Sequence, residues 1–347
     1  MRVGIVTVYD SGNYGSFLQA FAMKKYLEDR GHQVFFIKHR SFLKIVIKEI
    51  LIGMKQGIKH GPGIFIHRVK KCLYQYRDLK NFNVLSNNKR KTRELDLLLL
   101  GSDEIWNIRK PYFKNLIFFG KYKENIKTIA FAVSCGMAEE EDYPEEIVNQ
   151  LKKISRIYVR DEFSKQIVKN ICDRDVDIVM DPTLLQVPFW KNMNKPRKIK
   201  EEYLLVYGYK FSEKQFHNIK RYAKENGLKT VAVCLYQTWC DKNLNISALD
   251  FYNVLENAVA VVTSTFHGSI FATLSNEKIL IYNTSKKVVD IVSKLGVSNH
   301  LLSVDSSYEE FINVMNKKNV VDYTSVYENN LDKVDGVWNK INEEMKK

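Results

Sequence analysis

The chain has 347 residues, which exceeds one ordinary hydrophobic core and suits two domains of roughly 150 residues each. With 45% hydrophobic and 27% charged residues, it can form packed interiors, so extensive disorder is excluded. The five cysteines are scattered and form no CxxC pair, which argues against a disulfide framework and a four-cysteine zinc site.

The net charge of +14 is concentrated in one segment. Residues 41–93 contain thirteen Lys and Arg residues against two acidic residues, whereas the rest of the chain is close to neutral. Such a segment predicts an anionic partner, either a nucleic acid, a membrane surface or a phosphorylated substrate. No nucleic-acid-binding module is recognisable within it, so we expect no nucleic-acid partner.

The first predicted elements alternate strand, helix and strand. Residues 2–10 form a β-rich run without the apolar core and cleavage site of a signal peptide. Residues 16–31 predict a helix that ends at Gly31, and residues 33–39 predict a second strand. This order is typical of the start of a doubly wound parallel sheet.

The next segment, residues 41–60, has an amphipathic helical pattern. At about 100° per residue, four lysines share a narrow arc and eight apolar residues spread over the other side. The lysines are Lys44, Lys48, Lys55 and Lys59, and the apolar residues are Phe42, Leu43, Val46, Ile47, Ile50, Leu51, Met54 and Ile58. The pattern is typical of a helix at an anionic membrane surface. It also fits a helix that covers the first domain with a solvated lysine edge.

The strand and helix pattern continues and then restarts after a linker. We predict an α/β protein with two Rossmann-like domains, whose parallel sheets face a central cleft. The first domain covers residues 1–185 and the second covers residues 201–325, with a Pro-punctuated linker at 186–200. Residues 326–347 predict a C-terminal helix packed on the body. No run of 18 residues is apolar throughout, so we expect a cytoplasmic protein, in contact with the inner face of the membrane if 41–60 is an interfacial helix.

Ligands of open parallel sheets bind beyond the carboxyl ends of the strands, where this chain has four polar turns. The turns are residues 12–16, 101–103, 134–136 and 263–269. The first turn combines glycine with a helix N-terminus, which favours an anion, although it is not a GxGxxG motif and supports no dinucleotide. A tight turn capped by Asn13 is the alternative.

His267 opens a helix after an apolar strand, beside the small residues Gly268 and Ser269. An imidazole exchanges a proton near neutral pH, so the position suits a general acid or base. A histidine that caps the helix or lies at a domain interface is the alternative. The other histidines and the cysteines have no metal-ligand spacing, so we expect no metal site.

Arg160 ends a predicted strand and precedes Asp161 and Glu162. Its guanidinium could bind a carboxylate or phosphate, or it could form a surface ion pair with these two acids. Ser102 and Asp103 could bind a sugar hydroxyl or cap a helix.

Six blocks, in this order, resemble the polysaccharide pyruvyl transferase family. They are GNYGSFLQAFAMKKYL, LLGSDEIWN, IAFAVSCG, IYVRDEFS, VMDPTLL and VVTSTFHGSIFATL. The resemblance runs from about Arg2 to Leu295, and the GSDxxWN, DPTLL and FHG blocks make it specific. It implies a GT-B-like architecture and phosphoenolpyruvate as a co-substrate, with no further cofactor. The implied acceptor is a sugar of a cell-surface polysaccharide or its lipid-linked precursor, and the product is a pyruvate ketal.

The resemblance also assigns roles to individual residues. His267 matches the family's general acid, and Arg160 matches a contact to the donor anion. Some relatives have an arginine where this chain has Thr265, and Lys286 or Lys287 is the candidate replacement for that cation. We expect the first domain to bind the acceptor and the second to bind the donor.

Further substrate-binding candidates lie in the matched blocks, and one of them, a tryptophan, would stack on a sugar face. They are Asn13, Tyr14, Gly15, Ser16, Gln19, Ser102, Asp103, Trp106, Asn107, Ser134, Ser264, Thr265, Gly268 and Ser269. Two other functions stay open, because a fold does not determine the donor. They are a GT-B-type glycosyltransferase that uses a nucleotide sugar, and a non-catalytic family member.

Overall fold

The computed structural model describes residues 1–85, 95–122, 126–193 and 195–346. Within these ranges the strands form two sheets, in which neighbouring strands are parallel. Part of the basic segment lies outside the described residues, namely Lys89, Arg90, Lys91 and Arg93.

The first sheet has seven strands. They are β1 (Arg2–Val6), β2 (Gln33–Ile37), β3 (Val84–Leu85), β4 (Leu97–Asp103), β5 (Lys127–Val133), β6 (Arg156–Val159) and β7 (Asp177–Ile178). Their spatial order is β3-β2-β1-β4-β5-β6-β7, so the direction of winding reverses between β1 and β4. The accompanying helices are α1 (Tyr14–Glu28), α2 (Phe42–His60), α3 (Pro62–Asp78), α4 (Glu145–Lys152), α5 (Glu162–Cys172) and α6 (Val187–Lys191).

The second sheet repeats this plan with six strands. They are β8 (Tyr203–Tyr207), β9 (Lys229–Val233), β10 (Lys242–Leu244), β11 (Ala260–Thr263), β12 (Ile279–Tyr282) and β13 (Leu301–Leu302). The order β10-β9-β8-β11-β12-β13 reverses between β8 and β11. The helices that follow are α7 (Glu213–Glu225), α8 (Phe251–Glu256), α9 (Phe266–Ser275), α10 (Lys286–Lys294), α11 (Tyr308–Met315) and α12 (Tyr323–Lys346).

Local sequence signals explain where several helices begin and end. Ser212 and Gln215 form a reciprocal capping box at the start of α7, which satisfies two backbone N–H groups. The chain leaves α1 through Gly31 and α7 through Gly227, with φ angles of +77° and +68°. Glycine adopts this left-handed conformation without steric cost, so α1 ends shortly before Gly31, as the sequence predicts, and α7 ends shortly before Gly227.

Buried apolar residues join the two domains into one body. Helix α1 lies between them, and the ring of Tyr14 packs 5.4 Å from that of Phe251 in the second domain. The Tyr14 hydroxyl also donates to the carbonyl of Ile246 at 2.9 Å. The chain crosses from β7 to β8 between Ile178 and Tyr203, a stretch that contains the predicted linker and helix α6.

Helix α12 returns the C-terminus to the first domain. Trp338 is buried near Tyr26 and Phe131, and the Tyr26 hydroxyl donates to Asp335 at 2.6 Å. Near the end of the helix, Glu344 forms ion pairs with both Lys127 and Arg156. In the described part of the chain, no helix combines the length and the apolar character needed to cross a membrane.

Candidate active site

A cleft of about 700 Å³ lies between the two domains, where the carboxyl ends of their sheets face each other. The segments that follow β1, β4, β8 and β11 all contribute to its walls. These are the strands at which each sheet reverses its winding, and such reversals are where open parallel sheets bind ligands. The cleft is therefore the candidate active site.

Seven of the sixteen catalytic and substrate-binding residues predicted from the sequence line this cleft, although they come from distant parts of the chain. They are Asn13, Ser16, Asp103, Arg160, Ser264, Thr265 and His267. The others lie behind the cleft walls or within the helices. They are Tyr14, Gly15, Gln19, Ser102, Trp106, Asn107, Ser134, Gly268 and Ser269.

The prediction that Trp106 stacks on a sugar is wrong. Its side chain is fully buried, its Nε1–H donates to the carbonyl of Phe118 at 2.9 Å, and its ring stacks on Phe119. A buried indole requires a partner for its N–H, and this partner belongs to the protein core. Gln19 is also fully buried and donates to the carbonyl of Ser16 at 2.8 Å, so it supports the turn instead of facing a ligand.

His267 is the second residue of α9 and forms part of the cleft wall. Thr265 is the N-cap of this helix, since its hydroxyl accepts from the backbone N–H of Gly268 at 3.0 Å, so His267 is not the capping residue. The imidazole of His267 lies directly against Gly15, where an added Cβ would overlap with the ring. Gly15 is therefore required by the close approach of the two domains at this point.

Asp181 is the functional residue that sequence reasoning missed. Its carboxylate is fully buried, and Oδ2 accepts from Nη1 of Arg160 at 3.2 Å and from the hydroxyl of Ser102 at 3.3 Å. The same oxygen lies 3.4 Å from Nε2 of His267, a buried nitrogen that forms no hydrogen bond with any group the structure describes. Asp181 therefore connects the two residues assigned as catalytic. Its place in the DPTLL block was the available signal.

Electrostatics keep Asp181 ionised. Burial alone would raise the pKa of this carboxyl, but His267 and Arg160 outweigh burial and hold the pKa of Asp181 well below its usual range. The backbone N–H of Thr183 also donates to it, at 3.0 Å. The ionised carboxylate at this position holds the Arg160 guanidinium in place.

Arg160 is buried, which contradicts the alternative of a surface ion pair with Asp161 and Glu162. Its partners are Asp181 and, at 3.8 Å, Asp103. The side chain of Asp161 instead caps α5 by accepting from a backbone N–H, and Glu162 is exposed. Burial by itself would lower the pKa of Arg160, but the nearby carboxylates of Asp103 and Asp181 raise it.

Asp103 ends β4 in a left-handed conformation, with φ of +72°. A non-glycine residue rarely adopts this conformation, and such strain is common at functional sites. The strained backbone directs the carboxylate into the cleft, where it accepts from the Ser16 hydroxyl at 2.6 Å. Asp103 also accepts from the backbone N–H of Glu104, at 2.8 Å.

Basic side chains line the cleft in excess over acidic ones. They are Arg40, Lys48, Lys110, Arg160 and Lys287. The buried Glu104 carboxylate binds Lys110 at 2.7 Å and also binds Lys287, which comes from the second domain. Burial would raise the pKa of Glu104, but the two lysines hold it well below its usual range. The excess of positive charge in the cleft thus favours an anionic ligand.

A family model described as polysaccharide pyruvyl transferase matches residues 13–276. The chain belongs to the polysaccharide pyruvyl transferase family. This confirms the resemblance found in the sequence, and it supports a transferase that acts on a sugar or polysaccharide acceptor. No curated protein is significantly similar in sequence.

Solved structures share the fold of this pyruvyl transferase family member. The UDP-GlcNAc 2-epimerase of Methanocaldococcus jannaschii aligns with a TM-score of 0.53 and 10% identity over 93% of this chain and 95% of that chain. A putative UDP-N-acetylglucosamine 2-epimerase of Listeria monocytogenes aligns with a TM-score of 0.54 and 9% identity over 98% and 97% of the two chains. The α/β class with two GT-B-like domains is thereby confirmed, and identities this low show the fold alone.

In this pyruvyl transferase family member, the two lysines predicted as candidates to replace the relatives' arginine lie on different surfaces. Lys287 lines the cleft, whereas the exposed Lys286 lies on the outer surface of α10. Among the described residues, no group of three or more His, Cys, Asp or Glu side chains is placed to hold a metal ion. The expectation that the reaction needs no metal stays a prediction.

Proposed function

We propose that the protein transfers the enolpyruvyl group of phosphoenolpyruvate to a sugar of a cell-surface polysaccharide or its precursor, forms a pyruvate ketal and releases phosphate. Family membership supports a transferase with a sugar acceptor. The observation that carries the proposal further is the basic cleft that also contains the His267–Asp181 pair. This combination suits a donor with two anionic groups and a reaction that needs an acid.

The basic groups suit the donor's phosphate and carboxylate. Arg160 is held in place by Asp103 and Asp181, so it offers a rigid guanidinium edge to an anion. Lys287 reaches the cleft from the second domain, which is the predicted donor side. In the proposed complex, the donor displaces Glu104 from at least one of its two lysines, and the freed ammonium group then binds the donor.

The proposed reaction begins with protonation of the methylene carbon of phosphoenolpyruvate, which makes the neighbouring carbon electrophilic. A sugar hydroxyl attacks that carbon, the bond to the phosphate oxygen breaks, and a second hydroxyl closes the ketal. The two sugar hydroxyls release two protons. One replaces the proton that the methylene carbon gained, and the other leaves with phosphate. No group is oxidised or reduced overall, so we propose phosphoenolpyruvate as a co-substrate without a redox cofactor.

His267 is the proposed general acid, and Asp181 is its positioning residue. A buried carboxylate 3.4 Å from Nε2 of the imidazole orients the ring and limits its rotation. General acid catalysis by a positioned side chain typically contributes about 10²–10⁴-fold to the rate.

The test is to incubate the protein with phosphoenolpyruvate and candidate sugar acceptors, and to measure released phosphate together with the mass of the acceptor. We expect phosphate release that depends on the acceptor and equals the amount of modified acceptor. A parallel set of reactions contains UDP-sugars instead of phosphoenolpyruvate. Transfer from a UDP-sugar alone would replace this proposal with a glycosyltransferase, and no transfer from either donor would favour a non-catalytic family member.

A further inference from the structure

Helix α2 exposes an unusually continuous apolar surface, which we call the α2 stripe. It consists of Leu43, Ile47, Leu51, Met54 and Ile58. The least exposed member, Ile47, is 49% accessible, and Ile58 is 90% accessible. Spacings of three and four residues place all five side chains on one face of the helix. A contiguous apolar surface of this kind marks an interaction site on a water-soluble fold.

The opposite face of α2 is already occupied by α3. Gly53 is buried against Phe65 and Arg68, and the Arg68 guanidinium donates to the Gln56 side chain at 3.0 Å. Arg68 also forms an ion pair with Glu49. The packing of the two helices is therefore complete without the α2 stripe. The sequence-based alternative, in which the apolar residues of this segment cover the first domain, accounts for only part of the helix.

Exposed lysines border the α2 stripe on one side. At about 100° per residue, the stripe covers an arc of about 80°, and the lysines occupy the next arc of about 60°. They are Lys44, Lys48, Lys55 and Lys59. A second copy of the chain docked on this surface would bring two rows of lysines together, and their like charges would oppose the contact. An anionic bilayer complements both features, because its headgroups attract the lysines and its acyl boundary accepts the apolar side chains.

The lysine row also reaches the candidate active site. Lys48 lines the cleft, as does Arg40, which precedes α2 by two residues. A surface bound by α2 would thus lie beside the basic wall of the cleft. We propose that α2 docks this enzyme on an anionic lipid bilayer, so that a lipid-linked sugar acceptor enters the cleft from the membrane. The acceptor part of this inference rests on the proposed function, whereas the docking part does not.

The test is flotation of the full-length protein with vesicles of phosphatidylcholine alone or with added phosphatidylglycerol, at low and high salt. We expect the wild type to float only with the anionic vesicles and to be released in part by salt. Lys55→Gln/Lys59→Gln should weaken binding by about thirtyfold, since each lysine contributes on the order of a fivefold gain near an anionic surface. Leu51→Asn/Ile58→Asn should weaken it at least about tenfold.

Matched controls change two lysines or two apolar residues on other exposed surfaces. They are Lys317→Gln/Lys318→Gln and Met137→Asn/Val320→Asn, and both should float like the wild type. Thermal midpoints of all variants should match, because every substituted side chain is exposed. Lys48 is left unchanged, because it lines the cleft.

Three results would overturn the proposal. They are a wild type that does not float at low salt, variants of α2 that float as well as their controls, and a concentration-dependent dimer that Leu51→Asn/Ile58→Asn dissociates. Flotation requires neither phosphoenolpyruvate nor acceptor, so it succeeds or fails independently of the transferase reaction. Conversely, phosphate release with a water-soluble acceptor tests the reaction without vesicles.

Discussion

At the scale of single residues, the cleft depends on one buried carboxylate. Asp181 touches Arg160 and Ser102, and lies at ion-pair distance from His267, so three separate sequence blocks meet at its side chain. The ion pair with Arg160 and the hydrogen bond from Ser102 offset part of the cost of removing the Asp181 carboxylate from water. This arrangement gives the imidazole and the guanidinium defined positions before any ligand arrives.

Replacing the proposed acid tests the chemistry. We expect His267→Gln to lower kcat by about 10²–10⁴-fold, because glutamine retains polar contacts but cannot donate a proton as a cation. His217→Gln changes an exposed histidine on α7 and should retain full activity. Steady-state phosphate release measures both variants. Activity of His267→Gln within a few-fold of the wild type would remove this residue from the mechanism.

Replacing the anion tests the ion-pair cluster. Asp181→Asn should reduce the free energy of unfolding at pH 7 by about 3–5 kcal/mol, because Arg160 is left buried without its main partner. The pKa of Asp181 is lower in the folded protein than the value of about 3.9 in unfolded chains. Its stabilising contribution is therefore complete above about pH 4 and is lost as the pH falls further.

Urea unfolding at several pH values measures the difference in the free energy of unfolding between Asp181→Asn and the wild type. This difference should be constant from pH 7 to pH 5 and should become smaller toward pH 3. Asp177→Asn, at an exposed position four residues earlier, should unfold like the wild type throughout. Equal stability of Asp181→Asn and Asp177→Asn at pH 7 would show that the buried carboxylate is not required.

At the scale of elements, helix α3, which belongs to the basic segment 41–93, contacts the second domain through His67. Its Nε2–H donates to the carbonyl of Cys234 at 3.3 Å, and its ring lies 5.1 Å from that of Tyr236. Burial is the main cause that lowers the pKa of His67 to about 4, and Lys71 contributes in the same direction. The folded protein thus favours the neutral imidazole.

This contact predicts a specific sensitivity to acid. An unfolded histidine has a pKa of about 6.5, so the contribution of His67 is complete above that pH and is lost as the pH falls toward 4. Between pH 7 and pH 5, the wild type should lose about 2 kcal/mol of stability more than His67→Gln, which cannot be protonated. Urea midpoints at the two pH values measure the loss. Equal losses of stability in the wild type and His67→Gln would show that protonation of His67 does not weaken this contact.

Helix α12 links the end of the chain to the first domain, and its stability rests on Trp338. We expect Trp338→Ala to lower the free energy of unfolding by about 3–5 kcal/mol, because a buried indole beside Tyr26 and Phe131 is replaced by a cavity. Asn339→Ala, at the next and exposed position, is the control. Chemical unfolding measures both, and similar midpoints for the two variants would contradict the packing role of α12.

At the scale of the whole molecule, the cleft is bridged by charges from both domains. Lys287 of α10 pairs with Glu104, which follows β4 in the first domain. Asn13 and Tyr209 form a second bridge, with the amide donating to the hydroxyl at 2.8 Å. The two sheets are therefore held face to face by polar contacts at the cleft as well as by the apolar contact of α1.

This bridge predicts how donor binding depends on two adjacent lysines. Lys287→Ala should raise the KM for phosphoenolpyruvate about tenfold or more, because a charge-assisted contact to the donor is lost. Lys286→Ala removes the same charge from the outer surface of the same helix and should leave KM unchanged. Kinetics at varied phosphoenolpyruvate concentration compare them. Equal effects would mean that general charge, and not position in the cleft, controls affinity.

Local features of the sequence were sufficient to predict much of the candidate site. Turns after strands located His267, Arg160, Asn13 and Asp103 at one edge of each sheet, because parallel strands place their carboxyl ends together. Trp106 was misplaced since neighbouring positions after one strand can face either the cleft or the core. Sequence spacing does not distinguish these two environments.

The two parallel α/β domains and the family follow from local sequence patterns, because hydrophobic periodicity, glycine and capping residues act over a few neighbours. The pairing of charges, in contrast, depends on the folded chain. Arg160 pairs with Asp181 instead of with the adjacent acids Asp161 and Glu162, because its buried side chain contacts a distant segment of the chain. The tertiary structure also determines which half of the apolar face of α2 packs on α3 and which half stays exposed. Burial is a property of the assembled chain, so no local pattern specifies it.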